Sequence, residues 1–287
     1  MVENGDYGTV VLVGLIISAV AGALAWLLHA WLTKFDISKQ QWLHPTLRTP
    51  VEEPEQARCE RKILVKRRSI TAVMGAAAFV LAITYLLVLF KLGKKPRDGI
   101  EINWLYFAGL AITYALVGVV AAMYYWIKDG LHVIACSGFL AIAMICLSTG
   151  QLPGSHDQRW VLFGISVVLQ AVFVLFITRW PDWKGPMWTL RGWFAAAPML
   201  VAFILYDTFW AIGYPNAPNG QSTVYNQRWI PQTSFLVADF LGVIAFGIVV
   251  YIFYRPRFRS EKPAGTLMAQ QQRTEAEMSL LSSPQGF

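Results

Sequence analysis

Charged residues are scarce in this sequence: Asp, Glu, Lys and Arg make up 14% of its 287 residues, whereas hydrophobic residues make up 56%. A soluble domain carries about 25% charged residues. With so little charge, most of the apolar surface must face lipid, which excludes a soluble catalytic domain. The sequence therefore predicts an integral membrane protein, and its many Trp and Tyr residues near segment ends fit the aromatic belts of a bilayer.

Cysteine is also scarce, and the three cysteines (Cys59, Cys136 and Cys146) show no paired spacing. This spacing excludes a disulfide framework and a zinc knuckle. We find no metal-ligand pattern and no nucleophile with a base at helical spacing, so we predict no catalytic residue, no metal and no enzyme. Residues 1–8 are acidic and lack a basic n-region, so we expect no cleavable signal peptide.

Long apolar runs dominate what is present. A run of about 20 apolar residues crosses the hydrocarbon core as a helix, and none of these runs alternates with a period of two residues. The sequence therefore predicts an all-α membrane protein with a bundle of seven transmembrane helices. The seven runs cover residues 9–33, 70–92, 103–127, 131–149, 159–179, 192–214 and 230–254.

Basic residues are distributed unequally between the two sets of segments that flank these runs. The set that includes the 34–69 loop and the tail contains 18 Lys and Arg residues, and the set that includes the N-terminus contains 6. The positive-inside rule then places residues 1–8 outside, and the 34–69 loop of the 9–254 transmembrane domain in the cytoplasm. We expect the plasma membrane, a disordered cytoplasmic tail over 255–287, and basic residues that contact anionic lipid rather than nucleic acid.

Two carboxyl groups lie deep in the apolar runs: Asp207 in the sixth and Asp239 in the seventh. Neither has a Lys or Arg nearby in its own run, and a deep carboxyl group without a cation tends to be protonated and hydrogen-bonded. Two interpretations stay open. Each Asp joins helices as a neutral hydrogen-bonding group, or the pair serves a transporter or channel for protons or small solutes.

The seventh run contains a motif of a known family. Residues 239–247 resemble the Asp-x-x-x-Lys-x-Gly-Phe-Gly motif of microbial rhodopsins of the bacteriorhodopsin type, through Asp239, Phe246 and Gly247. The family's lysine position is Val243 here. Retinal in this family is held as a protonated Schiff base on that lysine, and valine has no amine with which to form one.

The sixth run is similar to another motif of the same family, Trp-x-x-Tyr-Pro-x-x-Trp-x-x-Gly. Tyr206, Trp210 and Gly213 match, Phe203 replaces the first Trp, and Asp207 replaces the proline. The resemblance implies a hydrogen bond between Tyr206 and Asp239, a contact that the family makes.

The family's third helix carries an Arg and an acidic counterion before a Trp. If Trp104 is that Trp, these positions are Ile100 and Asn103; if the register shifts by a turn, they are Trp104 and Phe107. In both registers the two charges are missing, as expected when no buried cation needs a counterion.

The resemblance implies a non-photoactive, lysine-less relative of the rhodopsins, similar to fungal opsin-related proteins, with a binding, structural or signalling role. We predict no cofactor, and specifically no covalent retinal. Besides the lipid bilayer, candidate partners are another protein, a second copy of the chain, or an apolar ligand bound non-covalently. The candidate pocket residues are Trp104, Phe203, Tyr206, Asp207, Trp210, Asp239 and Phe240.

Overall fold

The computed structural model of the chain describes residues 5–43, 55–90, 92, 94–97, 100–125, 127, 130–149, 156–179, 190–213 and 235–254. These residues confirm the predicted all-α fold with seven helices. The helices are α1 (Gly5–Leu43), α2 (Glu55–Leu89), α3 (Trp104–Tyr124), α4 (Gly130–Thr149), α5 (His156–Arg179), α6 (Leu190–Gly213) and α7 (Phe235–Phe253). Six of them contain apolar stretches long enough to cross a membrane, and α6 contains a shorter one, Gly192–Thr208.

The first two helices extend well beyond their apolar spans. The apolar part of α1 ends at Lys34, but the helix continues to Leu43; α2 begins at Glu55, before its own apolar part. Much of the predicted 34–69 loop is therefore helical, because polar residues do not by themselves end a helix that has already formed. Residues 44–54 and the predicted disordered tail, 255–287, lie outside the described residues.

A two-stranded antiparallel hairpin precedes α3. Its strands are β1 (Lys94–Arg97) and β2 (Ile100–Asn103), with Lys94 opposite Asn103. The sequence analysis did not predict these strands. Because α3 begins only at Trp104, Ile100 and Asn103, the positions of the first predicted register, are strand residues and lie before the third helix.

Small residues let the helices of the bundle approach one another closely. A Cβ atom on Gly118 of α3 would lie 2.8 Å from both the carbonyl oxygen of Cys136 and the Cα atom of Ser137 in α4. These are backbone atoms, which cannot move aside cheaply. Helices in lipid associate mainly through such close packing, since lipid tails are as apolar as the side chains they would replace.

The seventh helix changes its winding at mid-length. Residues Phe240–Ala245 form a π-helical turn, and the N–H of Phe246 donates to the carbonyl oxygen of Leu241, five residues back. Single π-turns occur frequently at functional sites. Gly242 and Val243 lie within this turn and are buried, so the irregular part of α7 faces the bundle interior, next to Asp239.

Candidate functional site

The carboxyl group of Asp239 is surrounded by three tyrosine hydroxyls. Tyr85 of α2 donates to Oδ2 at 2.6 Å, Tyr106 of α3 donates to the same oxygen at 3.2 Å, and Tyr206 of α6 donates to Oδ1. The structure thus contains the predicted contact between Tyr206 and Asp239. We call Asp239 with these three tyrosines the tyrosine cage.

The cage ties α7 to three other helices without an ion pair among the described residues. Asp239 is only 1% exposed, and its contacts there are the three hydroxyls. Tyr85 and Tyr206 are buried, and a buried hydroxyl needs a partner, whereas Tyr106 is half-buried. One carboxyl group therefore accepts from three donors at once, and removing it takes a hydrogen-bond acceptor from each of them.

A second polar network joins α4, α5 and α6. Gln170 of α5 donates through Nε2 to Oδ1 of Asp207 at 3.1 Å and to Oγ of Ser166 at 3.2 Å. Ser166 in turn donates to the carbonyl oxygen of Ala143 in α4 at 3.0 Å. We call Ser166, Gln170 and Asp207 the polar chain. It places Asp207 against α5 rather than beside Asp239.

Aromatic rings fill the interior next to the cage. The ring centroid of Tyr114 lies 6.3 Å from that of Phe203 and 5.8 Å from that of Tyr206. The ring centroid of Phe203 also lies 6.4 Å from that of Phe173 in α5. All four rings are buried. This cluster extends from Tyr206 of the cage to Phe173 of α5.

The hydroxyl of Tyr114 has no hydrogen-bond partner among the described residues, although the residue is fully buried. It rests against Gly242 in the π-helical turn, where a Cβ atom would overlap with it. The absence of a side chain at Gly242 therefore allows α3 and α7 to pack together at this point.

One predicted pocket residue, Phe240, is not brought to this interior. Phe240 is 42% exposed, because successive helical residues point about 100° apart and its neighbour Asp239 points inward; its assignment to the pocket is wrong. The structure describes the backbone of Trp104 and Trp210 but not their side chains. Among the described residues, no group of three His, Cys, Asp or Glu could hold a metal ion.

Four residues that complete the two networks were not predicted as site residues: Tyr85 of α2 and Tyr106 of α3 in the tyrosine cage, and Ser166 and Gln170 of α5 in the polar chain. A usable signal was present. Ser166 and Gln170 are four residues apart in an otherwise apolar run, which places both on one helix face. A tyrosine deep in an apolar run also needs a partner for its hydroxyl.

Comparison with solved structures identifies a fold that this chain shares. It resembles cyanorhodopsin from the cyanobacterium Calothrix sp. NIES-2098, with a TM-score of 0.61, 12% identity, and coverage of 88% of this chain and 96% of that chain. It also resembles the proton pumping rhodopsin AR2 from the marine alga Acetabularia acetabulum, with a TM-score of 0.61, 14% identity, and coverage of 88% and 96%. No protein-family model and no curated protein sequence matches the chain.

A third match bears on the cofactor. Xanthorhodopsin, a light-driven ion pump with a dual chromophore, matches with a TM-score of 0.53 and 12% identity over 88% of this chain and 94% of that chain. Because the matched proteins are rhodopsins, the comparison points to retinal, and the expectation that the chain has no cofactor is wrong.

The described residues fit a bound retinal only in part. At position 243, the fully buried side chain is valine, which has no amine. Within the described apolar spans, the lysines are Lys34 and Lys66, and both lie at span ends. These residues offer no amine in the interior for a Schiff base, whereas the side chains around Phe203 are buried and aromatic, as the surroundings of an apolar ligand are.

Proposed function

We propose that this chain is a lysine-less member of the microbial rhodopsin family that binds retinal, or a polyene like it, non-covalently. The shared seven-helix fold and the matches at Asp239, Phe246 and Gly247 support the family assignment. The observation that carries the proposal is Val243, which is fully buried at the lysine position of that motif.

The tyrosine cage supports a role without photochemistry. In a pigment, a protonated Schiff base needs a nearby carboxylate as its counterion. Here Asp239 instead accepts three tyrosine hydroxyls, and neutral donors of this kind satisfy a carboxyl group without any cation. The carboxyl group of Asp239 thus has hydrogen-bond partners when no Schiff base is present, which is compatible with a binding or signalling role.

The aromatic interior supports an apolar ligand. The ring of Phe203 in α6 packs edge to face against the ring of Phe173 in α5. Pockets for such ligands are lined mainly by apolar and aromatic side chains with a few polar groups that fix orientation. The polar chain and the hydroxyl of Tyr114 supply polar groups of this kind.

The proposed location is the plasma membrane, with the N-terminus outside and the C-terminus in the cytoplasm. The excess of basic residues in the segments on the C-terminal side supports this orientation. A protease site fused to the C-terminus should be cut only after cells are permeabilised. Cutting in intact cells would reverse the orientation.

The binding proposal is tested by titrating the purified protein, in lipid nanodiscs, with all-trans-retinal while its tryptophan fluorescence is recorded. We expect saturable quenching at one ligand per chain, weakened in Phe203→Ala. The matched control is Ile204→Ala, because Ile204 is adjacent in sequence but 64% exposed to the outside of the bundle. Non-saturable quenching, or equal effects of the two substitutions, would remove the proposal.

A second candidate function is ion transport through Asp207 and Asp239, favoured by the resemblance to a proton pumping rhodopsin. Transport needs a series of titrating groups along the membrane normal. Liposomes that contain the protein and retinal should show no light-dependent pH change and no uncoupler-sensitive current. A clear signal in either assay would favour transport over the binding role.

A further inference from the structure

Arg67 is a half-buried cation near the start of the apolar span of α2. Its guanidinium carbon lies 5.4 Å from the centre of the Tyr251 ring in α7. Its Nε atom is sealed from solvent and makes no hydrogen bond within the described part of the protein. A guanidinium carries five N–H donors, so the contact that the described residues give this group is a ring face rather than an acceptor.

The acids whose side chains the structure describes all lie away from Arg67. They are Asp157, Asp207 and Asp239. Asp239 precedes Tyr251 by twelve residues of α7, which is about 18 Å along a helix, and Asp207 lies at a similar depth because the residue before it bonds to Asp239. Asp157 is in the first turn of α5, at the end of the bundle where α2 finishes, since successive spans alternate in direction.

A partly buried charge without a counter-charge is unfavourable. An anion that reached Arg67 would therefore stabilise this part of the bundle.

The depth of Arg67 is that of lipid phosphate groups. The apolar span of α2 begins at Ile63 and that of α7 ends at Phe253, so Arg67 and Tyr251 both lie in the outermost turns of their spans. Basic side chains and tyrosines at such positions place their polar ends at the border between hydrocarbon and headgroups.

Arg67 also lies between two closely packed helices. Two turns further along α2, Met74 packs on Gly247 of α7, where an added Cβ atom would overlap with the methionine side chain. Gly247 precedes Tyr251 by about one turn, so the same faces of α2 and α7 continue down to Arg67. Basic sites between transmembrane helices on the cytoplasmic side are a known setting for anionic lipid headgroups.

We propose that the guanidinium of Arg67 binds the phosphate of one anionic phospholipid between the ends of α2 and α7. Six Lys and Arg residues lie between positions 58 and 68 of α2, which predicts general contact with anionic lipid. Arg67 differs from that general contact, because one positioned side chain defines one site.

The chemistry of both partners supports this ligand. The planar guanidinium presents paired N–H donors that match two phosphate oxygens. A zwitterionic lipid carries its own ammonium group beside the phosphate, so an anionic lipid gains more from Arg67. The proposed orientation places this end of the bundle in the cytoplasmic leaflet, where anionic phospholipids are concentrated.

The first arm of the experiment uses the wild-type protein and needs no variant. The delipidated protein in detergent is titrated by isothermal calorimetry with phosphatidylserine, with phosphatidylcholine of the same acyl chains, and with inorganic phosphate. We expect one phosphatidylserine per chain to bind about tenfold more tightly than phosphatidylcholine, the factor that about 1.4 kcal/mol supplies. Equal affinities of the two lipids would overturn the inference, and so would inorganic phosphate binding as tightly as phosphatidylserine.

The second arm compares Arg67→Gln with Lys66→Gln. Both remove one positive charge, but Lys66 is exposed. We expect Arg67→Gln to reduce the preference for phosphatidylserine to about twofold or less, since it removes the charged donors, and Lys66→Gln to keep most of it. Equal losses in the two variants would show general surface attraction and overturn the site. Retinal binding, measured on the same variants, should be unchanged, so the lipid site and the polyene-binding role fail separately.

Discussion

Tyr206 and Asp207 are consecutive residues of α6 that serve two different hydrogen-bond networks. Tyr206 donates to Asp239 of α7, and Asp207 accepts from Gln170 of α5. Successive helical residues point about 100° apart and rise only about 1.5 Å. The two networks therefore meet α6 at one depth and extend across the bundle rather than along the membrane normal, which suits a ligand site better than an ion path.

The tyrosine cage makes Asp239 a stability determinant. We expect Asp239→Asn to be tolerated, because its amide oxygen still accepts hydrogen bonds. Asp239→Leu should lower the free energy of unfolding by about 2 kcal/mol, since hydrogen bonds within membranes contribute about 0.6 kcal/mol each and the buried hydroxyls of Tyr85 and Tyr206 would lose their acceptor. Thermal unfolding in detergent, followed by circular dichroism, measures both variants.

The single tyrosine deletion Tyr106→Phe is the internal control for the cage. Its hydrogen bond is the longer of the two measured to Oδ2, at 3.2 Å, so its loss should cost less than the loss of the carboxyl group. Equal melting temperatures for Asp239→Leu and the wild type would contradict the cage.

Gly242 should be intolerant of a side chain because of Tyr114. A Cβ atom at position 242 would overlap with the Tyr114 hydroxyl and lie 3.0 Å from the Cβ atom of Ala202. Overpacking of this kind destabilises by about 1–3 kcal/mol, so Gly242→Ala should melt earlier than the wild type. Adding Tyr114→Phe should recover part of the lost stability, because it removes the hydroxyl oxygen with which the added Cβ atom overlaps.

The matched glycine control is Gly138→Ala in α4, where an added Cβ atom meets nothing within 4 Å. Alanine there should be neutral or stabilising by up to about 1 kcal/mol, since it restricts the unfolded chain. A double-mutant cycle that shows no coupling between positions 242 and 114 would count against the described contact.

Much of the fold follows from the sequence, because lipid demands long apolar helices, and such helices are recognised in the sequence as long apolar runs. The contact between Tyr206 and Asp239 was also predictable, since both belong to motifs whose spacing the chain keeps. The hairpin that begins at Lys94 was not, because its strands are only four residues long and the first of them is polar and contains a proline.

The remaining contacts depend on how each helix is rotated about its axis, which composition does not determine. In α3, whose apolar residues are spread around the helix, the sequence left two registers open, and neither identified Tyr106 as a partner of Asp239. Asp207 was expected in a pocket with Asp239, but α6 turns it towards Gln170. Such rotations are set by packing at positions like Gly118 and Gly242.

Restoring the missing amine should restore a pigment. Val243→Lys places a lysine four residues after Asp239, inside the buried turn of α7. With all-trans-retinal, we expect a visible band that is red-shifted from free retinal and sensitive to hydroxylamine. Ile248→Lys is the control, because Ile248 is 53% exposed on the same helix and should give no such band. A folded Val243→Lys protein that stays colourless would contradict a retinal-sized site at this position.

Non-covalent binding of a polyene by the wild-type chain can be measured by mass spectrometry together with extraction of the bound retinoid. The protein is incubated with all-trans-retinal and purified. One sample is treated with borohydride, which reduces any Schiff base, and its intact mass is measured by mass spectrometry. From a parallel untreated sample, the bound retinoid is extracted and quantified. We expect an unmodified protein mass together with about one retinoid per chain. A protein mass increased by one retinyl group, or a purified protein without retinoid, would contradict it.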